Sequence, residues 1–119
     1  MRYLTETPRF LTDVPDYSSE NVSMLALRPS CENCAKALPP DSVEAMICSF
    51  ECTFCAGCVD SVLSNVCPNC GGGFERRPVR PRSALRKNPA VTTETLKPVE
   101  PAVAQRMRDK FEHIPPAQR

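Results

Sequence analysis

The sequence predicts a small α+β domain that is held together by bound metal and flanked by flexible tails. All eight cysteines lie between Cys31 and Cys70, so the cysteine-rich part is short. A segment of that size buries too little apolar surface to be stable without a covalent or metal staple. Thirteen prolines and an aromatic content of 6% argue against one compact core over all 119 residues.

Short strands and one short helix are predicted inside the cysteine-rich part. A strand is expected over residues 44–50. Its apolar residues are Met46, Ile47 and Phe50. A helix is expected over residues 59–66, because four apolar residues fall at i, i+3, i+4 and i+7 on one face. They are Val59, Val62, Leu63 and Val66.

The chain divides into four predicted segments. Residues 1–23 are expected to form a flexible extension, and residues 24–75 the metal-binding domain. Residues 76–100 are a basic, proline-rich tail that we expect to be extended and solvated. A short amphipathic helix is predicted over residues 101–114, since Pro101 suits a first helical position. Its apolar residues recur every four positions, at Val103, Met107 and Phe111.

The cysteines form three Cys-x-x-Cys pairs and one more widely spaced pair. In chain order the pairs are Cys31 and Cys34, Cys48 and Cys52, Cys55 and Cys58, and Cys67 and Cys70. A Cys-x-x-Cys turn places two sulfurs at adjacent corners of a tetrahedron around zinc, with Zn–S distances of about 2.3 Å. Two pairs complete one structural site, so eight cysteines predict two Zn²⁺ ions per chain.

Other uses of the cysteines stay open as alternatives. The chain shows neither a signal peptide nor a membrane span, which predicts a cytoplasmic protein, and disulfides are rare in that compartment. A redox relay would need exposed thiol pairs of low pKa without metal. An iron–sulfur cluster also uses four cysteines.

The cysteine order resembles the cross-brace of RING domains, in which pairs one and three share one zinc and pairs two and four share the other. This resemblance implies a first site of Cys31, Cys34, Cys55 and Cys58, and a second site of Cys48, Cys52, Cys67 and Cys70. A nested grouping is the alternative, with Cys48, Cys52, Cys55 and Cys58 on one ion and Cys31, Cys34, Cys67 and Cys70 on the other. The nested grouping is disfavoured because it packs three ligands tightly along one short segment.

From Met24 to about Pro98 the chain also resembles a small bacterial family, domain-of-unknown-function family 1272. The matching motifs are Leu27-Arg28-Pro29, Leu38-Pro39-Pro40-Asp41-Ser42, the run from Ile47 to Cys55, the run from Val66 to Gly72, and Arg76-Arg77-Pro78. The resemblance implies a cysteine-rich bacterial protein with no established activity.

The predicted function is a structural zinc-binding module that contacts a protein partner, and not an enzyme. Sites filled by four thiolates leave no open position for substrate, and the single histidine, His113, lies far from the cysteines. The expected contact patch combines residues 59–66 with Phe74.

Three alternative functions remain. Nucleic-acid binding through the basic tail is one, although two zinc tetrathiolates change the formal net charge from +1 to −3. A ubiquitin-ligase-like adaptor is another, although Glu32 and Gly71 depart from the residues that RING ligases use. The last is a thiol or zinc redox sensor.

Overall fold

A computed structural model describes residues 24–119 of the chain. The predicted extension 1–23 lies outside the described residues. The elements are β1 Ala45–Ile47, β2 Thr53–Cys55, α1 Ala56–Ser61, β3 Glu75–Arg76, α2 Arg82–Leu85, α3 Pro101–Phe111 and a closing 3-10 turn Pro116–Gln118. The prediction of a small α+β domain with short strands is confirmed.

Strand β1 is the centre of a three-stranded antiparallel sheet in the order β2-β1-β3. Met46 of β1 pairs with Phe54 of β2 on one side and with Arg76 of β3 on the other. The sheet is small: β1 and β2 flank the loop that carries Cys48 and Cys52, and β2 ends at Cys55 directly before α1, which contains Cys58.

The predicted strand over residues 44–50 is shortened by a tight loop. The Cys48 N–H donates to the Cys52 carbonyl at 3.2 Å, and Glu51 adopts a left-handed φ of 66°. Phe50, which the pattern assigned to the strand, lies in the loop with 73% of its surface exposed.

Helix α1 begins earlier and is shorter than the predicted helix over residues 59–66. Cys55 caps its N-terminus, because its Sγ accepts the Cys58 N–H at 3.4 Å. The helix cannot continue through Ser64 and Asn65, whose φ values are 47° and 59°. The apolar spacing over residues 59–66 therefore predicts buried side chains, but only residues 59–61 of that range are helical.

The apolar face of this segment belongs to the core. Val59, Leu63, Val66 and Phe74 are between 1% and 6% exposed, and Val62 is half-buried against the same core. The ring of Phe74 meets Phe54 edge to face, with centroids 5.6 Å apart. The prediction that residues 59–66 and Phe74 form a contact patch is thus wrong. A domain this small uses its few large apolar side chains for its own core.

The tail over residues 76–100 folds back on the domain at two arginines. Arg77 is 1% exposed and donates to three main-chain carbonyls at 2.9–3.0 Å. They belong to Arg28, Leu38 and Pro39. Arg80 donates to the Leu25 carbonyl at 2.7 Å. The expectation of a solvated tail is wrong at these two positions. Carbonyl groups in irregular loops have no hydrogen-bond partner on a neighbouring strand, and the arginine guanidinium groups donate the hydrogen bonds that these carbonyls need.

Helix α3 begins at Pro101, as predicted, and ends at Phe111. It lies within residues 97–119, which we call the C-terminal strap. The Phe111 ring packs on Gly71, where an added Cβ would lie 2.9 Å from Cε2 of that ring. Gly71 has a left-handed φ of 79°, a conformation that glycine adopts readily, and the turn that it makes is covered by the Phe111 ring.

The end of the strap is also bonded to the domain. Arg119 donates to the carbonyls of Asn65 and Gly71 at 2.9 and 3.0 Å. The Arg108 guanidinium donates to the Val62 carbonyl. Within residues 24–119, no helix combines the length and apolar character that a membrane crossing requires.

Candidate metal centre

Four cysteines from two separate parts of the chain converge at the first cluster. Their Sγ atoms all lie within 4.8 Å of one another, and they belong to Cys31, Cys34, Cys55 and Cys58. The Sγ atoms of Cys34 and Cys55 are 3.7 Å apart. A tetrahedral ion with metal–sulfur distances of about 2.3 Å would place its ligands about 3.8 Å apart. The cluster therefore has the dimensions of a single tetrahedral site.

Local backbone geometry presents the first pair of sulfurs. The Cys31 N–H donates to the Lys36 carbonyl at 2.9 Å, and the Ala35 N–H returns to the Cys31 carbonyl at 3.0 Å. Ala35 closes this turn with a φ of 67°. The other pair comes from the end of β2 and the first turn of α1, so the cluster ties a loop to the sheet and helix.

The second cluster contains three cysteines in close approach. The Sγ atoms of Cys48, Cys67 and Cys70 lie within 4.8 Å of one another. Cys52 stands outside this limit; burial raises the pKa of its thiol, and the neighbouring Cys48 raises that pKa further. The structure thus brings together three of the four residues predicted for this site and leaves the fourth beside them.

The sulfurs are grouped in the interleaved order, and the nested alternative does not describe the structure. All eight cysteines are free thiols. His113 has 84% of its side chain exposed and belongs to neither cluster. Within residues 24–119, these two clusters are the only groups of three or more cysteine, histidine and carboxylate side chains that could hold a metal ion.

Main-chain N–H groups point at the sulfurs of both clusters. In the first cluster, Asn33 and Cys34 donate to Cys31 at 3.4 and 3.5 Å. In the second cluster, Phe50 donates to Cys48 at 3.3 Å, and the Gly72 N–H donates to Cys70 at 3.4 Å. Such donors stabilise thiolates, which are the form that binds metal.

Two asparagine side chains add donors that the sequence reasoning missed. The Asn33 amide donates to Cys58 at 3.3 Å, and the Asn69 amide donates to Cys52 at 3.4 Å. Each asparagine precedes the second cysteine of a Cys-x-Asn-Cys turn and reaches a sulfur of a different pair. The repeat of asparagine at this position in two turns was the signal that could have revealed them.

Burial and hydrogen bonds shift the pKa values of the cysteine thiols in opposite directions. Burial raises the pKa of Cys55 and of Cys67, and it raises the pKa of Cys58 to about 12. The backbone bond from Lys36 lowers the pKa of Cys34. Burial acts to raise the pKa of Cys48, but backbone donors outweigh it and the pKa is lowered. Burial therefore opposes ionisation of these thiols, and a bound cation would favour it.

The two positions that RING ligases use for binding are covered in this chain. Glu32 is 4% exposed, and its carboxylate accepts the Thr53 N–H at 2.7 Å and pairs with Arg28 at 2.6 Å. Gly71 lies under the ring of Phe111. Neither residue presents a side chain to solvent for a partner.

Comparisons with known proteins match the cysteine region. A model of the family described as protein of unknown function (DUF1272) matches residues 24–80. An uncharacterised protein of Rhizobium meliloti (strain 1021) is 64% identical over 75 residues, which make up 63% of this chain and 89% of that relative. No solved structure matches. The family match includes all eight cysteines and ends before α3.

Proposed function

The chain belongs to the DUF1272 family, as the motifs of its cysteine region predicted, and from this premise we propose that it is a structural two-zinc module that contacts a protein partner. The observation that carries the proposal is the four-sulfur cluster with its 3.7 Å Sγ–Sγ edge between Cys34 and Cys55. Four thiolates fill a tetrahedral ion, so the ion would stabilise the fold and would have no position for substrate.

Zinc fits the donor set better than an iron–sulfur cluster does. Thiolate tetrahedra select zinc or iron among the common metals. A [4Fe–4S] cluster holds each cysteine on a different iron and a [2Fe–2S] cluster holds two cysteines on each iron, so both would spread the four sulfurs farther apart than one ion does. The close approach of all four Sγ atoms within 4.8 Å supports one ion per site. In the second site, we propose that the ion draws in Cys52 as the fourth ligand.

The partner surface must lie outside the buried helix face. Within residues 24–119, the exposed large apolar side chains are Met24, Val43, Phe50, Val79, Val91 and Leu96. Phe50 is the most exposed of these, and it projects from the loop between two proposed ligands of the second zinc. We propose that this aromatic side chain anchors a protein partner, since a zinc-braced loop holds it in one place at low entropic cost.

The experiment that tests the zinc proposal is metal analysis of the purified chain and of two variants. We expect two zinc ions per chain by elemental analysis and native mass spectrometry. Cys34→Ser and Cys70→Ser should each reduce the count to one, and each variant serves as the control for the other site. Iron in place of zinc, or one metal in the unmodified chain, would contradict the proposal.

A redox sensor is the second candidate, because each site contains one exposed cysteine. These are Cys34 and Cys70. Oxidation of an exposed thiolate would release its zinc. Peroxide-dependent zinc release measured with a chromophoric chelator tests this candidate, and release only under denaturing conditions would exclude it.

The remaining alternatives have less support. Arg77 and Arg80 are committed to main-chain carbonyls, which removes two cations from the surface that nucleic acid would need. Binding to nucleic acid with a salt-dependent affinity would support the nucleic-acid alternative. For a ligase-like adaptor, the burial of Glu32 and the covering of Gly71 are unfavourable.

A further inference from the structure

The C-terminal strap binds the two residues between the cysteines of the first Cys-x-x-Cys turn. The Lys97 N–H donates to the Glu32 carbonyl at 2.7 Å. The Val99 N–H donates to Oδ1 of the Asn33 side chain at 2.8 Å. The strap therefore approaches the candidate metal centre at the turn that presents Cys31 and Cys34.

The Asn33 side chain makes two contacts at once. Its Nδ2 donates to the Cys58 Sγ at 3.3 Å while its Oδ1 accepts from Val99. The orientation of this amide is fixed, because a main-chain N–H can only donate and so must face the oxygen. One planar group thus connects a sulfur of the first cluster to the strap.

We propose that Asn33 is a positioning residue that couples metal binding at the first site to docking of the C-terminal strap. The proposal rests on the two-zinc function above. When Cys58 binds metal it carries a thiolate, which accepts a stronger hydrogen bond from Nδ2 than a neutral thiol does. The polarised amide then presents a better acceptor to Val99.

The coupling acts in both directions. If metal at the first site strengthens strap docking, then docking strengthens metal binding by the same factor. The effect extends beyond the contact itself, since Val99 stands two residues before α3, whose last residue, Phe111, packs against Gly71 beside the second cluster. A metal ion at the first site therefore helps to hold a segment that packs on Gly71, beside the second cluster.

Three variants separate the two contacts. Asn33→Ala removes both the donor to Cys58 and the acceptor for Val99. Asn33→Asp keeps an acceptor for Val99 but places a negative charge beside the thiolate. Asn69→Ala is the matched control, because this asparagine makes the same kind of amide-to-sulfur bond in the other Cys-x-Asn-Cys turn.

The experiment measures zinc affinity and strap docking separately on the full chain. Zinc is titrated against a chelator while the backbone amide signals of the two Cys-x-Asn-Cys turns report each site by NMR. Hydrogen exchange of the Val99 amide at saturating zinc, compared between the unmodified chain and each variant, reports the docking.

We expect both Asn33 variants to weaken zinc binding at the first site by about 10-fold or more. In zinc-saturated protein, the Val99 amide should exchange up to about 10-fold faster in Asn33→Ala. It should stay protected in Asn33→Asp. Asn69→Ala should weaken the second site and leave Val99 unchanged.

Two results would overturn the coupling. One is Val99 protection that is identical in Asn33→Ala and the unmodified chain at saturating zinc. The other is first-site affinity that neither Asn33 variant alters. These results differ from failure of the proposed function, which would appear as an unmodified chain that binds no zinc.

Discussion

Arg77 should be the most sensitive position of the fold outside the cysteines. It lies directly after β3, and its side chain is the largest fully buried side chain among residues 24–119. Burial lowers its pKa, and the neighbouring Arg80 lowers it further. Arginine keeps its proton in proteins even so, and the charge is balanced here by carbonyl dipoles alone.

The expected loss follows from the three carbonyls that Arg77 satisfies. Its Nη1 donates to the Arg28 carbonyl at 2.9 Å, and its Nη2 donates to those of Leu38 and Pro39 at 3.0 and 2.9 Å. Each carbonyl left unsatisfied in a buried place costs about 1–3 kcal/mol. Relief of the buried charge offsets part of this sum. We therefore expect Arg77→Met to lower the free energy of unfolding by about 3–5 kcal/mol.

Denaturant unfolding, followed by circular dichroism at fixed free zinc, measures the effect. Arg77→Lys should recover only part of the loss, because an ammonium cannot reproduce the planar fork that serves three acceptors. Arg76→Met is the control, since Arg76 is exposed and should change stability by less than about 0.5 kcal/mol. A loss below about 1 kcal/mol in Arg77→Met would refute this account of the three carbonyls.

The other predictions concern the aromatic core, Gly71 and the binding of zinc. Phe54→Ala should lower the free energy of unfolding by about 3–5 kcal/mol, whereas Phe50→Ala should leave it nearly unchanged in the same denaturation assay. Equal effects would contradict the assigned burial. Gly71→Ala should destabilise, because its φ of 79° and the aromatic ring beside it both oppose a Cβ. Gly57→Ala, in α1, should be neutral or stabilising. Zinc affinity should fall as pH falls, since thiols of raised pKa such as Cys58 must each release a proton to bind. Affinity independent of pH, in a chelator titration, would contradict thiolate ligation. Zinc removal should abolish the near-ultraviolet circular dichroism of the core, and addition of zinc should restore it.

The cysteine spacing predicted more of this molecule than the apolar pattern did. Short Cys-x-x-Cys turns fix their own geometry, and the resemblance of their order to RING domains implied the interleaved grouping, which the structure shows for seven of the eight cysteines. The start of α3 was predictable for a similar reason, because Pro101 acts locally. Each Cys-x-x-Cys turn and the first turn of α3 depend on a few neighbouring residues and on no distant contact.

Other features depended on contacts that no local pattern encodes. The sequence 59–66 showed a helical period, yet the chain leaves the helix early and still buries Leu63 and Val66. Nothing around Arg77 distinguishes it from the exposed Arg76, and only the position of three distant carbonyls does so. Side-chain burial in a small domain is decided by such tertiary contacts, which a single sequence does not reveal.

The place of the strap in the chain sets an order of events during synthesis. Val99 follows Cys70 by roughly 30 residues, which a ribosome adds in about 2–6 s. During that interval both pairs of each cluster already exist, while the segment that later docks beside them does not. The proposed zinc ions therefore have a window of seconds in which to bind the nascent chain before residues 97–119 add their contacts.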